Sequence, residues 1–143
     1  MKIKEIIEHL KLECPSFQNR VSGAADYDLA LESNLFKAPC AYVVPLSTAS
    51  TPNNTYPAHV QKITMQFGVM MIISNKRDST GYAAHEELND VQLEVMNALC
   101  GFQPEGVDFP IEHVAGRSSG SYDLNRFWAD VFTTSYHFRK MPT

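Results

Sequence analysis

Hydrophobic residues at the start of the chain recur at helical spacing. Ile3, Ile6, Ile7 and Leu10 fall at i, i+3, i+4 and i+7, with Lys4, Glu5, Glu8 and Lys11 between them. This predicts a short amphipathic helix over residues 2–13, ended by Pro15, because the residue before a proline is pushed out of the α region. A second helical piece is expected from Tyr27 to Leu35, capped by Asp26, with Leu31 and Leu35 four residues apart. Ala41-Tyr42-Val43-Val44-Pro45-Leu46 is β-rich, and Pro45 is expected to end it, since proline cannot donate to a ladder. Residues 47–59 carry Ser, Thr, Asn and two prolines and predict a long polar loop, free to order against a neighbour.

The strongest alternation lies between Val60 and Ser74. Ile63, Met65, Phe67, Val69, Met71 and Ile73 alternate with Lys62, Thr64, Gln66 and Gly68, a period of two. This predicts a long strand with a bend or bulge near Gly68, stopping at Asn75-Lys76-Arg77-Asp78. Ser79 to Cys100 predicts the main helix, with Ala84, Leu88, Val91, Val95 and Leu99 on one stripe and Gly101 as its stop. Residues 111–117 predict a short strand, and the Ser- and Gly-rich residues 118–123 a turn. Residues 127–138 predict a last strand with Trp128, Phe132, Tyr136 and Phe138 on one face. Asp130 falls on that face, which implies either a bulge or a buried, paired carboxylate. The order predicts an α+β domain over residues 1–143: a mostly antiparallel sheet with a long helix and a short N-terminal helix packed on it.

Composition narrows the function classes. A net charge of −4, from twelve Lys and Arg against sixteen Asp and Glu, shows none of the basic excess of a nucleic-acid binder. No run of 18 apolar residues exists, so no transmembrane helix and no membrane partner are expected, and the N-terminus leads into no signal-peptide core. Cys14, Cys40 and Cys100 are odd in number and widely spaced. They fit reduced thiols in a reducing compartment better than a disulfide framework or a metal site.

Candidate chemistry is thin. Gly116-Arg117-Ser118-Ser119-Gly120 matches GxSxG, which serves a nucleophile only on a strand-to-helix turn with a base delivered later. His137 is the only later histidine. His85-Glu86-Glu87-Leu88-Asn89 begins like HExxH, but Asn89 stands where zinc needs the second imidazole. His9, His59 and His113 show no ligand spacing. No phosphate-cradling glycine loop occurs, and Asn53-Asn54-Thr55 has the form of a glycosylation sequon without a secretory signal. The expected sites are therefore catalytic none, cofactor none and metal none.

Several segments, taken in order, resemble the tail terminator proteins of long-tailed bacteriophages. They are Val21-Ser22-Gly23-Ala24-Ala25-Asp26 before Leu29-Ala30-Leu31, and Ala38-Pro39-Cys40-Ala41-Tyr42-Val43-Val44-Pro45-Leu46 before the polar loop. Next come the Gln61-to-Asn75 strand, Arg77-Asp78-Ser79-Thr80-Gly81, and Ala98-Leu99-Cys100-Gly101-Phe102-Gln103-Pro104. Gly116-Arg117 then precedes Trp128-Ala129-Asp130-Val131-Phe132-Thr133-Thr134. The resemblance covers roughly residues 17–139. It implies a structural virion protein, not an enzyme, forming a homo-hexameric ring at the head-proximal end of the tail and assembled in the host cytoplasm. The implied partners are further copies of the chain, the tail tube protein and a neck or head-completion protein, with DNA passing through the lumen without specific binding. The residues themselves leave open a different head–tail joining protein, a monomeric binding module, or a small serine hydrolase using Ser118.

Overall fold

The amphipathic N-terminal run forms helix α1 (Ile3–Glu13), which buries Ile6 and Leu10. A single 3-10 turn at Pro15–Phe17 follows. The computed structural model describes residues 1–74, 82–122 and 125–140. Within them the remaining elements are β1 (Val21–Gly23), α2 (Ala24–Ser33), β2 (Cys40–Ser50), β3 (His59–Ser74), α3 (Tyr82–Leu99), β4 (Glu112–Tyr122) and β5 (Asn125–Lys140). The passage from strand to main helix, including the expected start at Ser79, lies outside the described residues.

The five strands form one sheet in the order β1-β2-β3-β5-β4. β2–β3, β3–β5 and β5–β4 are antiparallel, whereas β1 runs parallel to β2. The sheet is thus mostly antiparallel, as expected, and mixed only at the β1 edge. A β1–α2–β2 crossover explains it: parallel neighbours need a connection that returns to the same end, and a helix supplies it.

Successive side chains of a strand point to opposite faces, and the chain uses both. On one face Ala41, Val43, Phe67, Val69, Met71, Ile73 and Phe132 meet Ile6 and Leu10 of α1 and Leu88, Val91, Val95 and Leu99 of α3. The α3 stripe is the one its periodicity predicts, and Gly101 (φ +86°) turns the chain beyond it. Stacking of His9 on Phe102, 3.7 Å between ring centroids, ties α1 to the segment after α3. The other face buries Cys40 and Ile72 and carries the ring contacts Tyr27–Tyr42 (5.2 Å) and Phe36–Phe127 (5.3 Å) around α2.

Three boundaries differ from expectation. α2 begins at Ala24 behind Gly23, which makes no side-chain cap, so Asp26 lies in its first turn. It buries only Ala30, while Leu29, Leu31 and Leu35 are exposed. β2 continues through Pro45 to Ser50, so the loop shrinks to residues 51–58. Proline is tolerated because β1 pairs only with Ala41–Val43, leaving Pro45 on an open edge, and the register shifts between Pro45 and Ser47. The irregularity expected near Gly68 thus falls on its partner strand. Finally, residues 118–122 continue β4 rather than turning.

β3 and β5 each span 16 residues and pair along their full length, from His59↔Lys140 to Ser74↔Asn125. At the Ser74 end both faces are covered. At the His59 end no side chain from His59 to Gln66 or from Pro45 to Ser50 is fully buried. The sheet there extends as an arm.

Phe132 is fully buried and stacks on Phe67 at 5.7 Å between centroids. We expect Phe132→Ala to lose roughly 3–5 kcal/mol of stability in urea unfolding. Leu93→Ala, at a position 60% exposed, should stay within about 0.5 kcal/mol. Equal losses would place the core elsewhere.

Candidate functional site

Ser118 sits in the middle of edge strand β4, exposed, opposite Trp128 of β5. Its Oγ accepts a hydrogen bond from the Gly120 N–H at 3.2 Å. No strand-to-helix elbow is present, since the motif lies within a β-hairpin strand. His137 is about nine residues further along β5 than Trp128, roughly 30 Å at ~3.3 Å per residue. It is committed elsewhere: its backbone N–H donates to Asp108 Oδ2 at 2.6 Å, and its ring Nδ1 lies 3.4 Å from the same oxygen. That backbone hydrogen bond holds the Asp108 carboxyl below the usual range.

The structure instead assembles a polar group that sequence reasoning reached only in part. Asp130 is fully buried, and its Oδ1 accepts from His113 Nε2 at 2.8 Å and Gln92 Nε2 at 3.2 Å. Of the two readings open for Asp130, the paired carboxylate is the right one. Period-two counting gave its face, but its partners come from α3 and β4, which no local pattern connects to it. The register shift between His113 and Ala115 in β4 lies directly beside it. Trp128 Nε1 and Asp130 Oδ2 are buried without a hydrogen bond among the described residues.

Gly116 gives the GxSxG match a different meaning. A Cβ at this position would overlap Asp130 Oδ1 and lie 3.2 Å from the Trp128 indole. The first glycine of the motif thus makes room for the buried carboxylate and serves no nucleophile. His113 cannot complete a triad with Ser118 either, because the two are about five residues apart on one strand, roughly 16 Å. The arrangement is a buried hydrogen-bond network joining α3, β4 and β5. It is satisfied at Asp130 Oδ1 and leaves Oδ2 and the Trp128 indole N–H without a partner among the described residues.

Other sequence candidates are placed as follows. Of His85-Glu86-Glu87-Leu88-Asn89, Leu88 is core and Glu86 and Glu87 are exposed. Among the described residues no cluster of three or more His, Cys, Asp or Glu could hold a metal ion. No described helix is long and apolar enough to cross a membrane. The cysteines are free: Cys14 and Cys40 are buried and Cys100 is exposed. Burial pushes the Cys14 thiol up to about 12 and raises that of Cys40, which keeps both protonated.

The polar loop is smaller and better ordered than expected. Asn53 Oδ1 accepts from the Val60 N–H at 3.0 Å and from the Thr55 hydroxyl at 2.8 Å, and Asn53 Nδ2 donates to the Ala58 carbonyl. Thr51 Oγ1 accepts from the Lys62 N–H. These contacts are made within the chain itself. They hold Tyr56 at the arm's tip, 91% exposed. At the other end of the sheet an open hollow of about 490 Å³ lies beside α2, lined by Tyr27, Leu31, Glu32, Phe36 and Phe127 with residues 119–121. The features that stand out are therefore surfaces, not a reaction centre.

Comparison with known proteins fits that picture. The family described as phage tail terminator protein matches residues 1–143, the whole chain. No curated protein matches the sequence. Among solved structures, a chain from the virion of a native gene transfer agent particle is similar at a TM-score of 0.58 and 12% identity. The similarity spans 94% of this chain and 93% of that one. At that identity the likeness concerns the fold.

Two outcomes test this placement. Gly116→Ala should destabilise by roughly 1–3 kcal/mol, the usual cost of forcing atoms into a packed site, seen as a lowered melting temperature. An unchanged melting curve would refute the close approach. Ser118 should resist a fluorophosphonate probe, and Ser118→Ala should assemble normally; covalent labelling at Ser118 would reinstate the hydrolase.

Proposed function

The chain belongs to the phage tail terminator family, and we propose that it closes the head-proximal end of a phage tail tube as a hexameric ring. It is a structural protein of the virion tail, and its family is one of structural proteins rather than enzymes. The match over the entire chain carries the reading. In this reading residues 1–143 act as one terminator domain, with no catalytic, cofactor or metal site. The ring stops tube growth and offers the neck or head-completion protein its attachment surface.

The physical logic is that of a multivalent cap. A growing tube end repeats one binding surface around an axis, and only a ring of matching symmetry engages every copy at once. Six weak contacts made together are far tighter than one when the geometry allows simultaneous engagement. Such a ring needs a head-to-tail interface between two unlike surfaces. The sheet supports this with two unlike ends, a covered one with α2 and an uncovered arm. DNA passes the lumen without specific binding, in keeping with a net charge of −4.

Deleting the gene tests the proposal. We expect overlong or irregular tubes in electron micrographs, and heads without tails. Tubes of normal length with unattached heads would make the protein a neck component instead, and normal tails joined to heads would defeat both readings.

A further inference from the structure

The arm and helix α2 carry opposite charge, although Arg20 and Lys37 flank the helix. Between Glu32 and Asp78 the chain contains no Asp or Glu, and this stretch supplies both strands of the β2–β3 arm and its tip. Register brings His59 beside Lys140 and Val60 beside Arg139, and Arg139 and Lys140 are exposed. Asp108 lies on that side, bonded to His137 and within electrostatic reach of Arg139. Exposed aromatic surface accompanies the charge, in Tyr56 at 91% and Phe138 at 43%. The arm tip is thus an aromatic patch with a basic rim.

α2 is its complement. Asp26, Asp28 and Glu32 are exposed on it with no basic residue in the helix. Leu29, Leu31 and Leu35 are exposed at 63%, 50% and 75%, although a helix of this size would ordinarily turn its leucines inward. The open hollow described above is lined by Leu31, and Leu29 and Leu35 line a second one with Arg20 and Lys37. α3 also carries exposed acids, Glu86, Glu87 and Asp90, but its one strongly exposed leucine is Leu93. An apolar centre with a charged rim is how interfaces are built, and among the described helices α2 exposes the most leucines beside acids.

The two patches cannot meet within one molecule. α2 packs on Tyr42, which pairs with Met70, whereas the arm ends at His59. About eleven residues of β3 separate them, roughly 36 Å at ~3.3 Å per residue. We propose that the occupant of the α2 face is the arm tip of a second copy of this chain, with Arg139 and Lys140 against Asp28 and Glu32. Tyr56 and Phe138 lie over the leucines. This rests on the ring reading and supplies its head-to-tail contact: unlike patches at opposite ends of one protomer chain copies in one direction until the rotation closes.

Charge exchange tests it. Arg139→Glu with Lys140→Glu makes an arm variant, and Asp28→Lys with Glu32→Lys an α2 variant. Oligomers are read by chemical cross-linking, in purified protein and in tails assembled on a deletion background, with unchanged melting curves as the folding check. Each variant alone should associate roughly tenfold more weakly than wild type, the scale of two lost rim pairs. An equimolar mixture of the two should recover, because every reversed patch then meets its opposite in an alternating ring. Glu87→Lys with Asp90→Lys on α3 should change nothing. If the mixture recovers nothing while wild type still forms rings, this contact is wrong and the ring reading stands. Wild type that is monomeric in solution and in tails would overturn both. An arm variant that keeps self-association but loses binding to duplex DNA would overturn the contact and reassign the arm to phosphate.

Discussion

The pairing of β3 with β5 is the constraint on which the rest of the molecule depends. Sixteen residues of each strand stay in one unbroken register. Because side chains alternate with period two, a slip of one residue would turn the whole core stripe to the opposite face. That register sets Phe67 on Phe132, puts Asp130 within reach of both α3 and β4, and fixes which ends of the sheet become covered and bare. The strands outlast the helices that cover them. The excess length is the arm.

Asp130 shows how such a frame accommodates a buried carboxyl group. A carboxylate out of water is costly unless hydrogen-bonded, and here His113 from β4 and Gln92 from α3 both donate to it. Gly116 leaves the space that the carboxylate and Trp128 occupy. The same residues that mimic a nucleophile motif therefore serve packing. The exposed chemistry of the molecule lies at its ends, where charge and apolar surface are separated by the length of the sheet.

What was legible in the sequence follows from which signals are local. The alternation from Ile63 to Ile73 and the Leu88–Leu99 stripe are periodic and strong, and both elements stand where the pattern puts them. β1 is three residues long, too short for any period, and it exists because α2 returns the chain beside β2. Pro45 reads as a strand end until β1 is known to stop at Gly23, leaving an open edge. Residues 118–122 read as a turn from composition, yet β5 gives them a partner. Leu31 and Leu35 read as one helical face from their four-residue spacing, yet both are exposed. At the site, Asp130 was placed on the correct face, but its partners are remote in the chain, and charge segregation emerges only when the register brings residues 59 and 140 together.

We propose that this chain forms a closed ring at one place in the virion. Averaged cross-sections of isolated tails by electron microscopy, with this chain tagged, test the ring. A single ring of sixfold symmetry is expected at the head-proximal end, one tagged copy per sixth. Tag density spread along the tube, or a symmetry that does not match the tube's own, would contradict it.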